Sequence, residues 1–84
     1  MYQVVIERKA EKDLDRLPPP IHRRVSESVQ ALATDPRPAG CRKLVGGDND
    51  WRIRVGDYRV IYQIADAVRV IRITRGRHRR EVYK

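Results

Sequence analysis

Apolar and β-branched residues crowd YQVVIE, positions 2–7, and mark an opening strand. From Lys9 the period lengthens. Ala10, Leu14 and Leu17 fall at i, i+4 and i+7, one face of a short helix, while Glu11, Asp13 and Asp15 alternate with Lys12 and Arg16 on its wet side. Pro18-Pro19-Pro20 stops that helix, and Pro20 suits the first turn of the next one, where its missing N–H costs nothing. Ile21, Val25, Val29 and Leu32 then form a stripe that predicts a second helix from about Pro20 to Thr34. Asp35-Pro36 ends it, because a residue before proline avoids the helical region.

The segment 36–50 is loop-like, with Arg42-Lys43-Leu44 its best extended piece and Gly46-Gly47 and Asp48-Asn49-Asp50 its turn signals. Three strands follow, about 51–56, 58–65 and 68–74, joined by links too short for anything but antiparallel neighbours. The order is β-α-α-β-β-β: an α+β single domain over 1–84, with an N-terminal helical hairpin packed on one face of a small antiparallel sheet. Strand alternation sorts the faces. Trp51, Ile53 and Val55, with Tyr58, Val60, Tyr62 and Ile64, suit the side under the helices. Arg52, Arg54 and Arg59 then share the helix-free side.

Charge sharpens that contrast. The chain of 84 residues carries a net +8, and residues 51–84 hold 10 Lys/Arg against 3 Asp/Glu. Nine of those ten are arginine, the side chain fitted to forked contact with phosphate. A polyanion or an acidic protein is therefore the expected partner. One cysteine, Cys41, excludes an intramolecular disulfide framework and suits a reducing cytoplasm. The opening segment lacks the long apolar run of a secretory leader or a membrane span. No His/carboxylate cluster has metal-ligand spacing, and no cofactor is implied.

The terminal run RGRHRREVYK, 75–84, adds Arg75, Arg77, Arg79 and Arg80 as phosphate-binding candidates. A basic groove with nearby aromatics suits single-stranded nucleic acid. Metal-free RNA cleavage asks little more: the RNA 2′-hydroxyl attacks, and the protein supplies charge, a base and an acid. Arginines stabilise the crowded phosphate but are poor bases, their pKa lying above about 12. His78 exchanges protons near neutral pH unaided, and Tyr83 does so only if neighbouring arginines lower its phenol pKa.

WRIRVGDYRVIYQI followed by RGRHRREVYK resembles the signature of the RelE/ParE toxin superfamily of type II toxin–antitoxin systems, over essentially the whole chain. The resemblance favours the RelE branch, ribosome-dependent mRNA interferases that leave a 2′,3′-cyclic phosphate. The alternatives are a ParE-like inhibitor of DNA gyrase and a basic binding module without cleavage. By position the family's site falls on Arg52 and Arg54, on Arg59, on the Arg77–Arg79 region with His78, and on Tyr83. Some relatives carry lysines where this chain has Arg52 and Arg54, so base duty shifts to His78 or Tyr83, or catalysis relies mainly on electrostatics and ribosomal positioning. The resemblance further implies a cognate RelB-like antitoxin in a hetero-oligomer, with mRNA and the ribosome as targets.

Overall fold

The computed structural model describes residues 1–47 and 49–78. In chain order the elements are β1 (Gln3–Ile6), α1 (Arg8–Asp15), α2 (Pro19–Ala31), β2 (Arg42–Lys43), β3 (Asp50–Val55), β4 (Tyr58–Ala65) and β5 (Val70–His78). The strands form one sheet in the order β1-β5-β4-β3-β2. Two helices lie on a five-stranded sheet, an α+β fold.

The sheet differs from the expected antiparallel one: β1 runs parallel to β5, with Val4 opposite Ile71 and Ile6 opposite Ile73, so the sheet is mixed. Short links force antiparallel pairing only where they exist, between β3, β4 and β5. The chain leaves β1 through both helices and three strands before reaching β5, a crossover long enough for parallel pairing. The extended piece at Arg42–Lys43 becomes the edge strand β2, paired with Arg52 and Trp51. The final strand runs to His78 rather than stopping near 74, because Tyr58–Ile61 of β4 supply backbone partners to a segment whose side chains show no apolar alternation.

Prolines 19 and 20 occupy the first turn of α2. Its stripe is buried at Val25 and Val29 and continues into Leu32, while Ile21 stays partly exposed at the start of the helix. From α1, Ala10 and Leu14 join them over Ile53, Val60, Tyr62, Ile64, Ile71 and Ile73 of the sheet. The Tyr62 hydroxyl donates to the Pro36 carbonyl at 2.8 Å, and burial, with Cys41 alongside, pushes its phenol pKa up. The β3–β4 turn has a positive φ of 61° at Gly56 and none at Asp57, the pattern of a type II′ hairpin that favours glycine first.

Asp13 departs from its expected place on the wet side. It stands three residues after Ala10 and four before Leu17, on the helix's buried flank. Its side chain is only 13% exposed and faces β5.

At the β4–β5 turn the charges close on one another. Asp66 accepts from the Tyr2 hydroxyl at 2.6 Å and from both terminal nitrogens of Arg37, at 3.3 and 2.9 Å. The Arg37 guanidinium and the Tyr2 hydroxyl hold the Asp66 carboxyl below the usual carboxylate range. Arg37 also lies over the Trp51 ring, 4.9 Å from its centroid. Trp51 is thus a half-buried lid packed against the core, and Arg72 is exposed and meets Glu7 at 3.4 Å.

Candidate nucleic-acid interface

The register of three strands builds the site. Arg54 on β3 lies directly opposite Arg59 on β4, and Arg59 lies directly opposite Arg77 on β5. Residues directly opposite on antiparallel strands share a face, so the three arginines form one row across the helix-free side. Neighbouring strands stand about 4.8 Å apart, so the row spans about 10 Å. The next row on that face pairs Arg42 with Arg52, Arg52 with Ile61 and Ile61 with Arg75.

A β-bulge makes the third column possible. Tyr62 pairs with Ile73 but Ile61 pairs with Arg75, so Thr74 is an extra residue on β5. The Thr74 hydroxyl donates to the Ile61 carbonyl at 3.2 Å, pinning the irregularity. Before the bulge the odd-numbered Ile71 and Ile73 take the helix side. After it, Gly76 and His78 pair with the buried Val60 and Tyr58, and Arg77 comes out beside Arg59. Unbroken alternation from Ile73 would have turned Arg77 under the helices.

The predicted site residues therefore separate. Arg52 is half-buried, Arg54 exposed and Arg77 half-buried, while Arg59 is only 5% exposed although neither α1 nor α2 lies on its face. Arg75 leaves the group: its Nε donates to Asp13 at 3.0 Å, and the same carboxylate oxygen accepts the Gly76 backbone N–H at 3.0 Å. The register puts His78 beside Tyr58, on the opposite side of the sheet from the row. There it borders a cavity of about 230 Å³ with Asp13, Arg16, Leu17 and Gly76. Arg79, Arg80 and Tyr83 lie outside the described residues.

Gly76 is required where it stands. A Cβ there would come within 2.9 Å of Cε1 and Cζ of Tyr58, whose ring crosses the strand at that point. Asp13 was missed in the sequence, although its spacing from Ala10 and Leu17 carries the signal. Among the described residues no group of three or more His, Cys, Asp or Glu could hold a metal ion, and no helix is long and apolar enough to cross a membrane.

Such a surface can do one thing well. Like charges placed directly opposite destabilise a sheet by roughly 0.2–1 kcal/mol per pair. A row of arginines brought together by backbone register suits an anion with several oxygens.

Comparison with known proteins finds relatives of the whole chain and of its fold. The family model for the ParE toxin of type II toxin–antitoxin systems, parDE, matches residues 4–83. A protein of Methanocaldococcus jannaschii that carries the name RelE1 is 33% identical over 86 residues, covering 99% of this chain and 96% of its own. The archaeal RelE–RelB complex from Pyrococcus horikoshii contains a chain 35% identical, with a TM-score of 0.82, covering 93% of this chain and 94% of that one. The RelBE2 toxin–antitoxin complex of Mycobacterium tuberculosis gives 31% identity and the same TM-score, over 93% of this chain and 98% of that chain. With arginines aligned across three strands of the shared fold, the chain belongs to the RelE/ParE toxin superfamily of type II toxin–antitoxin systems, on its RelE-like branch.

Proposed function

We propose that this toxin is an mRNA endoribonuclease acting on the ribosome, with the Arg54–Arg59–Arg77 row as its phosphate site. The observation that carries the reading is the cross-strand register of those three arginines. The row would hold the scissile phosphate and stabilise the negative charge that builds up as the RNA 2′-hydroxyl attacks. The 5′-oxygen departs, leaving a 2′,3′-cyclic phosphate. Burial strengthens the electrostatic action of Arg59, since a guanidinium screened from water acts at a lower effective dielectric. Arg52, one row back on the same face, extends the basic path for the RNA backbone.

Proton transfer falls to Tyr83 in this reading. His78 stands across the sheet from the row, and arginines are too weakly acidic to exchange protons near neutral pH. Guanidiniums near a phenol lower its pKa, which is the direction a base requires. No metal or cofactor takes part.

A RelB-like antitoxin is the proposed partner, since the solved relatives named above were crystallised as RelE–RelB and RelBE complexes. An acidic segment covering the row would silence it by occupying the phosphate positions.

The test is cell-free translation with primer extension on the template. Wild type should give codon-spaced breaks ending in cyclic phosphate, and the triple change Arg54→Gln, Arg59→Gln, Arg77→Gln should abolish them. A second reading, inhibition of gyrase, draws on the ParE family model. It predicts intact mRNA and stalled supercoiling with purified gyrase.

A further inference from the structure

The pairing of β1 with β5 stops at Ile6 and Ile73. Beyond that point the outer edge of β5 faces α1 instead of a strand, and its backbone donors need acceptors from elsewhere. One carboxylate meets that need. Asp13 Oδ2 accepts both the Gly76 N–H and the Arg75 Nε–H at 3.0 Å, and Oδ1 faces an Arg75 terminal nitrogen at 3.5 Å. The contact falls immediately after the bulge at Thr74, where β5 has lost one step of its register with β4. It falls immediately before Arg77, whose position completes the row.

We propose that Asp13 is a positioning residue: by tying Arg75 and Gly76 to α1 it fixes the end of β5 so that Arg77 stands opposite Arg59. The inference rests on the row being the phosphate site. A bulge tolerates slippage on either side, because the extra residue can be accommodated at more than one place along a strand. The Asp13 clamp removes that freedom by holding one backbone N–H and one side chain on the same carboxylate. It also withdraws the Arg75 charge from the RNA path, so Arg75 acts through Asp13 rather than on phosphate. The side chains are 13% exposed for Asp13 and 35% for Arg75, so the clamp is partly shielded from competing water.

Asp13→Ala and Asp13→Asn separate positioning from simple charge. Both remove one negative charge, so a charge-only role makes the two alike and tightens RNA binding. Positioning ranks them instead: alanine offers Gly76 no acceptor, while asparagine keeps one amide oxygen for it. Cleavage on programmed ribosomes should fall about a hundredfold for alanine, the order expected from an ångström-scale misplacement, and less for asparagine. Binding to a 2′-deoxy-substituted RNA oligonucleotide, which cannot be cut, should hold or tighten in both. In the isolated chain, amide hydrogen exchange at Gly76 should speed up about tenfold or more in alanine, with a smaller change in asparagine.

Equal effects of the two changes, or unaltered exchange at Gly76 in the alanine variant, would overturn the proposal. If wild type cuts no RNA, the proposed function fails, and the exchange measurement still decides whether Asp13 fixes β5. Should alanine fail to fold, exchange and cleavage in the asparagine variant decide alone: both unchanged from wild type would reject the clamp.

Discussion

At the β4–β5 turn Arg37 reaches Asp66 at 2.9 Å, and a short way along β5 Arg72 reaches Glu7 at 3.4 Å, whereas at the other end of these strands the register sets Arg54 of β3, Arg59 and Arg77 side by side. Both ends use arginine on the same short sheet. At the turn each guanidinium meets a carboxylate, and the result braces the N-terminus, the 35–38 loop and the hairpin against one another. At the far end like charges are aligned, and the guanidiniums repel one another across the strands. Beside that row Asp13 takes Arg75. Where charge is arranged against stability, a ligand of opposite charge is the reason to look for.

Tyr83→Phe removes the proposed proton-transfer group, and cleavage should drop about a hundredfold or more. His78→Gln, on the other side of the sheet, should stay within a few-fold in the same primer-extension assay; the reverse ranking would move base duty to His78. Weaker in energy is Arg77→Gln, which relieves one cross-strand like-charge pair. Urea unfolding should show stability unchanged or raised by roughly 0.2–1 kcal/mol. The same variant should make the dependence of oligonucleotide binding on salt shallower by about one unit of log–log slope.

The smallest effect belongs to the turn. The Asp66 carboxyl is held below its ordinary pKa of about 3.9 by Arg37 and Tyr2. A depressed folded pKa contributes stability above the unfolded value, and that contribution is lost as pH falls through the folded pKa. Asp66→Asn should therefore be slightly less stable than wild type at pH 7 by urea midpoint. The two midpoints should converge as pH falls below the ordinary carboxylate range and Asp66 is protonated in the folded state as well. The side chain is 53% exposed, so solvent screening keeps the difference small.

Much of this molecule was legible in its sequence because its regular parts obey local rules. The stripe Val25-Val29-Leu32 and the alternation of Tyr58, Val60, Tyr62 and Ile64 both became the core. The Gly-Asp step became a two-residue hairpin turn. Arg54 and Arg59 came out on one face because alternation in β3 and β4 is unbroken. The parallel pairing of β1 was hidden, since it links residues about 67 apart through no local signal.

The bulge was hidden too. Thr74 fits either face of a strand, and only the pairing with β4 reveals that it is extra. That single residue decides that Arg77 rather than His78 joins the row, which separates two residues expected together. Asp13 looked solvated because its neighbours Glu11, Lys12 and Asp15 are, yet helical geometry places it on the flank with Leu17.

The most direct test sets the two ends of the ladder against each other in one experiment. Arg59→Gln, Arg77→Gln, Arg37→Gln and Arg72→Gln would each be added to a programmed cell-free translation, and template cleavage read by primer extension. Changes at Arg59 and Arg77 should each lower the cleavage rate about a hundredfold, while those at Arg37 and Arg72 should leave it within about twofold. Equal loss at both ends, or translation arrested by wild type with every template intact, would contradict the assignment of the arginine row to RNA.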